Sequence, residues 1–458
     1  MLQVLSAIFW GFLVLSLLVF VHEGGHYLAA RAFGVRVTEF FLGLPCRFRL
    51  SFKSKRVGTE IGVTPLLLGG YNRICGMEPV EDDLVGEALV CVMHHGRVTA
   101  EEVAEELSID PERAVGLLAT LVDWGSIAAF YDAELGEHPN QKTWPRSFQT
   151  LARDAHGLTE YDRGHDFSLS GATKAGDTCD LGLSSEALLE QERSHTYLGC
   201  GFWKRFAMLA AGPAINVLLA FLIVVAVLMG RGVSYASNTS TIGSVVEDSI
   251  AEQTGLEAGD RITRVDDTDV FTWEDLVAAL SESLDEGHDF TLKVERDGSE
   301  LELQVDLPDG EKYDKIGIYS SVATYHPTFL EASSAAVNYG VQVAETAAKI
   351  IMPQHTMEVL SESSSIVGIS VVASEAASSG FWDLAFVAAA ISMSLGFMNL
   401  LPIPPLDGGK ILIEVIQVVL RRKLSLRVQN AVSYVGLAFF LFVFVVVLKN
   451  DIVRYVIG

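Results

Sequence analysis

The chain has 458 residues, half of them hydrophobic and 20% charged, with a formal net charge of −25 and a mean hydropathy of +0.33. An ordinary soluble enzyme is less apolar than this, and a chain wholly buried in lipid does not carry one charged residue in five, so both classes are excluded. Apolar spans must alternate with acidic aqueous segments, and the expected fold is a polytopic α-helical membrane protein.

The first element is the uncharged run of residues 4 to 21, VLSAIFWGFLVLSLLVFV. It opens the first of about four expected transmembrane helices, at 4–30, 206–230, 382–401 and 431–448, each long enough for a roughly 30 Å hydrocarbon core. No Lys or Arg precedes the first run and no small-residue cleavage site follows it, so it is expected to be retained rather than removed as a signal peptide. The run ends in His22-Glu23-Gly24-Gly25-His26. On a helix, His22 and His26 share a face and their imidazoles can converge on Zn2+, with Glu23 beside the water that such a site keeps. An accidental H-E-x-x-H is expected in roughly one of fifty chains with this many histidines. The setting adds weight, because a histidine and a carboxylate in a membrane helix cost several kcal/mol unless they are paired or ligated.

Arg31, Arg36, Arg47, Arg49, Lys53, Lys55 and Arg56 follow the first span, Lys204 and Arg205 precede the second, and Arg421, Arg422, Lys423 and Arg427 separate the last two. By the positive-inside rule these loops are cytoplasmic, the segment 231–380 is extracytoplasmic, and the protein is a multi-pass protein of the cell membrane with its active site near the cytoplasmic side. Cys46, Cys75, Cys91, Cys179 and Cys200 all lie in the first of these loops, where thiols stay reduced, so no disulfide framework is expected.

Residues 57–75 are rich in β-branched residues and contain Gly69-Gly70, which predicts a short hairpin or looped sheet close to the membrane. This is either an ordinary surface hairpin or a strand edge that holds a substrate extended; a helical substrate must be straightened before its amides can be cut. In residues 81–131, Thr99 is placed to cap a helix carrying Val103, Ala104 and Leu107. Ser108 to Pro111 make a turn, Arg113 to Trp124 resume helical spacing, and Gly125 precedes the strand-like IAAF. The pattern resembles a winged-helix or helix-turn-helix module. Residues 81–200 nevertheless contain 23 acidic and 8 basic side chains, and the second helix offers only Arg113, so no nucleic acid partner is expected and a cytoplasmic protein partner is favoured. Residues 132–200, rich in Gly, Ser, Asp and Glu, are expected to be a flexible acidic tether. The scattered His94, His95, His156, His165, Cys179 and Cys200 lack a metal-ligand spacing.

Within the mixed α/β segment 241–322, Ala251, Gly255-Leu256, Gly259-Asp260, Ile262 and Val265 resemble the PDZ domain of bacterial proteases. The glycines suit turns between short strands, and Trp273 to Leu280 can form the helix beside a peptide groove. A size filter over the membrane opening and a ligand-binding module are equally compatible with the pattern.

Two histidines do not complete a catalytic zinc site, which takes three protein ligands and an open position. No third histidine follows in the metzincin spacing, and no following soluble helix supplies the glutamate of thermolysin-like enzymes. The remaining candidate is Asp407, in Asn399-Leu400-Leu401-Pro402-Ile403-Pro404-Pro405-Leu406-Asp407-Gly408-Gly409, where three prolines break the third span and let backbone and carboxylate turn inward. Its other reading is an N-cap for the helix that follows.

Together HEGGH, Gly212-Pro213-Ala214-Ile215-Asn216 in the second span, the PDZ-like segment and NLLPIPPLDGG resemble the site-2 protease family of intramembrane zinc metalloproteases, in its single-PDZ regulator-of-sigma-E-protease branch. The resemblance covers residues 1–80 and 200–458. It implies His22, His26 and Asp407 as zinc ligands, Glu23 as general base, a membrane-associated sheet near residues 57–71 that aligns the substrate, and a substrate contact at Asn399. Ser394 stands where relatives often carry a second Asn, and the insertion 81–200 has no counterpart in the resemblance. The expected organisation is a first transmembrane helix (1–33), a membrane-associated β segment (34–80), a winged-helix-like insertion (81–131), an acidic flexible segment (132–200), a second transmembrane helix (201–230), an extracytoplasmic PDZ-like domain (235–325), an amphipathic linker region (326–380), a third transmembrane helix with its cytoplasmic extension (381–424) and a fourth (430–450). The implied reaction is hydrolysis of peptide bonds within a single-span membrane protein in the lipid bilayer. The competing reading is a non-enzymatic receptor or scaffold with PDZ sensing and a structural zinc; an intact Glu23 argues against it, because a scaffold needs no base.

Overall fold

The structure, a computed structural model, describes residues 2–67, 69–80, 82–139, 141–287, 289–307, 313–422 and 424–454. Leu68, Glu81, Asn140, His288, residues 308–312 and Lys423 fall in segments singled out above and lie outside the described residues. The chain divides into two compact units, residues 1–224 with 335–458, and residues 225–334.

The first unit opens with α1 (Leu2–Ala32), 31 residues of unbroken helix whose charged side chains are Glu23 and, in the last turn, Arg31. In hydrocarbon the backbone has no water to bond, so a single unbroken helix is the only local solution. At 1.5 Å per residue it is longer than a membrane core is thick, and His22 lies about 13 Å along the axis before Arg31.

Four strands follow: β1 (Val37–Leu42), β2 (Leu50–Lys53), β3 (Glu60–Val63) and β4 (Gly70–Ile74), in the order β2-β3-β1-β4. β3 and β4 are not a hairpin. β1 lies between them, parallel to β3 and antiparallel to β4, with Phe40 opposite both Ile61 and Asn72. Of the two expectations for residues 57–75 the looped sheet is the one formed: Phe40 of β1 stacks on Phe20 and Tyr27 of α1, ring centroids 4.5 and 4.9 Å apart, which anchors β1 along the helix and leaves β4 at the sheet edge. Gly70 lets the strand lie close to the helix, since a Cβ would stand 3.0 Å from the Phe41 carbonyl oxygen and 3.3 Å from the Phe20 Cα.

The insertion comprises α2 (Val85–His95), β5 (Arg97–Thr99), α3 (Ala100–Leu107), α4 (Pro111–Asp123), β6 (Ile127–Phe130), β7 (Ser147–Thr150) and α5 (Ser185–Ser194), with sheet order β5-β7-β6. Thr99 caps α3 in a reciprocal capping box with Glu102, and Asp110 caps α4 ahead of Pro111. One core joins Leu89, Val92, Val103, Leu118 and Leu121 to Phe148, Cys179 and Leu188. The expected division at residue 131 and the flexible tether after it are therefore corrected. β7 completes the sheet, and four buried charges hold the segment: Arg36 binds Asp162 at 2.6 and 2.7 Å and Glu192 at 2.5 Å, and Arg153 binds Glu192 at 2.6 Å. Composition counts these charges as solvated, whereas pairing makes them an interior.

α6 (Phe202–Arg231) is the second long apolar helix and leads into the second unit. There β8 (Val233–Ala236), β9 (Ile242–Val245), α7 (Ile250–Gln253), β10 (Arg261–Val265), β11 (Thr268–Asp269), α8 (Trp273–Glu286), β12 (Phe290–Arg296), β13 (Ser299–Val305), β14 (Ile318–Ser320) and β15 (Val322–Tyr325) follow. The main sheet runs β11-β10-β12-β13, with β9–β14 and β8–β15 as two-stranded ribbons. Its core is Ile242, Leu256, Ile262, Leu276, Phe290, Leu292 and Val294. Gly255 and Gly259 take φ +83° and +99°, as turns between short elements demand.

The chain then forms α9 (Phe329–Lys349), α10 (Pro353–Glu362), α11 (Ile366–Ser379), α12 (Phe381–Leu400), α13 (Asp407–Leu420) and α14 (Leu426–Ile452). Among the described residues four helices are long and apolar enough to cross a membrane: Gln3–Ala32, Phe202–Arg231, Phe381–Leu400 and Arg427–Ile452. The protein is a multi-pass membrane protein with attached sheets. The region expected as linker is helical, and apolar α11, too short to span, packs on α1 through a Ser374–Ser6 hydroxyl bond of 2.8 Å.

Candidate active site

The spacing in HEGGH places His22 and His26 on one face of α1, and Nε2 of each comes within 3.2 Å of the other. Helix α12 ends at Leu400 and the proline-rich turn reverses the chain, so that α13 begins with Asp407. Its Oδ2 lies 3.0 Å from His22 Nε2 and 3.1 Å from His26 Nε2. Leu406, not Asp407, is the N-cap, and the Asp407 carboxylate makes no capping bond. All three side chains are buried. Lys410 Nζ stands 3.9 Å from the other oxygen, Oδ1.

The second span shapes the site without supplying a ligand. His26 Nδ1 donates to the Met208 carbonyl at 2.7 Å, which assigns the proton to Nδ1 and leaves Nε2 its lone pair for a cation. Gly212 makes the room, since a Cβ there would stand 2.3 Å from His26 Nε2. Gly25 faces the Ala211 carbonyl so closely that a Cβ would come within 2.4 Å. These two glycines let α1 and α6 approach at the level of the histidines.

Glu23 lies within electrostatic range of His26, His22 and Asp407. Asn72, in edge strand β4, donates its amide to Glu23 Oε2 at 2.7 Å and to the Glu23 carbonyl at 3.0 Å. Sequence reasoning missed Asn72. The two residues are 49 positions apart and no periodicity links a strand amide to a helix carboxylate. Gly212 entered only through resemblance, because the space it leaves depends on the packing of two distant helices.

The other expected site residues are placed as follows. Gly69 and Gly70 lead into β4 alongside α1, with Gly69 at φ +148°. Asn399 is half-buried near the end of α12, and its amide donates to the Leu395 carbonyl of its own helix at 2.9 Å.

Two imidazoles and one carboxylate converging within 3.2 Å are the donor set of a three-ligand zinc site. With its proton on Nδ1, His26 turns an Nε2 lone pair to the Asp407 carboxylate and to His22 Nε2, an arrangement that a cation among them satisfies, so the residues present fit the metal.

Comparison with known proteins agrees. The model of peptidase family M50 matches residues 10–443. The chain is 27% identical to the regulator of sigma-W protease RasP of Bacillus subtilis, covering 96% of this chain and 97% of that protein. It is 26% identical to the zinc metalloprotease RasP of Geobacillus kaustophilus, over 99% and 100% of the two chains, and 25% identical to the probable protease eep of Enterococcus faecalis, over 97% and 98%. The non-enzymatic receptor reading is thereby set aside. A match that runs from the first span into the fourth cannot come from a five-residue motif met by chance, and the chain belongs to peptidase family M50 and is an intramembrane zinc metalloprotease.

Proposed function

We propose that His22, His26 and Asp407 hold Zn2+, that Glu23 is the general base, and that the substrate is a single-span membrane protein presented as an added strand on β4. The observation that carries this reading is the convergence of the three ligand atoms within 3.2 Å, beside a glutamate tied to an edge strand by Asn72. When bound, zinc supplies Lewis-acid polarisation of the scissile carbonyl and acidifies water. Glu23 takes a proton from water as the oxygen adds to the carbonyl carbon, then delivers it to the nitrogen of the leaving amine as the C–N bond breaks. Asn72 engages Oε2, so Oε1 is the oxygen turned to this task. Among the described strands β4 pairs only with β1, and its outer edge offers backbone groups to an extended peptide. In this reading Gly69 and Gly70, at the start of that edge strand, and Asn399, near the end of α12, bind the substrate.

The basic residues after α1 and before α6 support a cytoplasmic insertion and an extracytoplasmic 225–334 unit. The helix-strand-helix-helix-strand-strand order and β5-β7-β6 sheet support a winged-helix-like fold for the insertion. It serves a protein partner rather than nucleic acid, since Arg113 is bound by Asp82 at 2.7 and 2.8 Å. The paired ribbons, four-stranded sheet and α8 support a PDZ-like unit that filters substrates by size or holds a peptide.

The test is cleavage of a co-expressed single-span reporter together with metal content. Glu23→Gln retains about one zinc per chain and loses cleavage, whereas His22→Ala, His26→Ala and Asp407→Ala lose zinc. Full zinc in Asp407→Ala would remove Asp407 from the ligand set.

A further inference from the structure

Beyond the active site, the end of α1 forms one wall of a cavity of about 840 Å³ lined by Tyr27, Leu28, Arg31, Lys55, Arg56 and Arg163, among others. Four of these residues are cations and no carboxylate lines the cavity. That is unexpected in a chain with 58 acidic and 33 basic side chains. No ion pair joins Lys55, Arg56 or Arg163 to an acid among the described residues, and Arg163 is close enough to Arg31 for their charges to repel. Lys55, Arg56 and Arg163 are exposed, so solvent screens their mutual repulsion, and an anion among them gains attraction from all four cations.

The walls are built rather than incidental. Arg31 Nη1 donates to the Tyr161 carbonyl at 2.8 Å and the Val35 carbonyl at 3.2 Å. Lys53 binds Glu160 at 2.6 Å and lies over the Tyr161 ring at 5.3 Å. Gly58, at φ +64°, approaches the Glu160 carbonyl so closely that a Cβ would stand 2.7 Å away. The span, the β2–β3 loop and the insertion therefore meet at residues 160–161 and hold Lys55, Arg56 and Arg163 around one space. Its depth is defined by α1. Arg31 is in the last turn of a helix long and apolar enough to cross a membrane, the level at which such helices meet lipid headgroups, and Leu28, about one turn before it, is 63% exposed.

We propose that this cavity binds the phosphate headgroup of an anionic phospholipid, with Arg31, Lys55, Arg56 and Arg163 around the phosphate and Leu28 against the acyl chains. Tyr27, at the interface, closes the apolar side. The bound lipid ties the insertion to the membrane surface beside the active site.

The test uses the full-length zinc-loaded protein in detergent, titrated with phosphatidylglycerol, phosphatidylcholine or inorganic phosphate and read by native mass spectrometry. Lys55→Ala, Arg56→Ala and Arg163→Ala are combined, leaving Arg31 and its carbonyl bonds intact. A control combines Lys142→Ala, Arg146→Ala and Lys174→Ala, the same charge change on the insertion but outside the cavity lining. The proposal expects retention of phosphatidylglycerol over phosphatidylcholine, a loss of about a hundredfold in the cavity variant and little change in the control. Three results would overturn it: equal loss in both variants, equal retention of the two lipids, or displacement of phosphatidylglycerol by equimolar inorganic phosphate, which would mark a site for free anions. Unchanged circular dichroism and zinc content separate loss of the site from loss of the fold.

Discussion

Asn72 holds Glu23 at its carboxylate and its main-chain carbonyl from the strand proposed to carry the substrate, so seating a peptide on β4 and aiming the base are one event. A base that swings freely loses the alignment that proton transfer requires. Asn72→Ala should therefore keep zinc and lower kcat by about ten- to a hundredfold, with KM changing less, the range typical of losing a group that orients another. Steady-state cleavage of the reporter, with zinc measured in parallel, checks this; wild-type kcat would show that Glu23 needs no such support. Asn72 was illegible in the sequence because a strand amide acquires its partner only when the sheet lies on the helix. His22, Glu23 and His26 were legible because four residues of one helix contain their geometry.

At the scale of elements, the insertion is fastened to the catalytic unit by charges buried to 1% exposure or less. Arg36 and Arg153 hold the Glu192 carboxyl well below the usual range, and Arg36 does the same for Asp162 against the opposing effect of burial. Depressed carboxyl values mean that the unfolded segment binds more protons once pH falls below about 4. The stabilisation is thus complete from about pH 6 upward, well above the unfolded carboxyl values, and is lost as pH falls through them towards the folded values. Hydrogen exchange of residues 147–200 should stay slow from pH 7 to about 5, after correction for intrinsic rates, and local opening should increase steeply below about 4. Glu192→Gln leaves two guanidinium groups short of a partner and should destabilise the insertion by about 3–5 kcal/mol at neutral pH. Exchange in this variant as slow as wild type would show that packing alone holds the segment. Composition misled here because a carboxylate facing water and one facing two arginines contribute the same count.

For the whole molecule, the arrangement of loops about the membrane is testable by labelling from outside. The native thiols are poor reporters: Cys75, Cys91, Cys179 and Cys200 are buried, and burial pushes Cys75 and Cys91 up to about 12, far from the thiolate that reacts. In a Cys46→Ser background, a cysteine placed at exposed Ser299 should react with an impermeant maleimide in intact cells, and one at exposed Glu186 only after lysis. The opposite pattern would invert the topology and move the active site to the outer half of the membrane.

What the sequence by itself determined was local or periodic: four apolar spans, two histidines and a glutamate close together on one helix, the Thr99 cap of α3, the turn ahead of α4, the turn glycines near 255–259 and an acidic residue at a broken helix. These follow from interactions within a few residues or from the thickness of a bilayer, and either is written in consecutive letters. Tertiary structure decided that β1 separates β3 from β4, that Gly212 leaves space for His26, that Asn72 grips Glu23, that Asp407 meets both histidines at about 3 Å, and that an acidic stretch becomes a packed insertion. Each of these depends on two segments tens to hundreds of residues apart meeting at contact distance. Such meetings are governed by packing volume and by the burial of paired charges, which no short window of sequence contains.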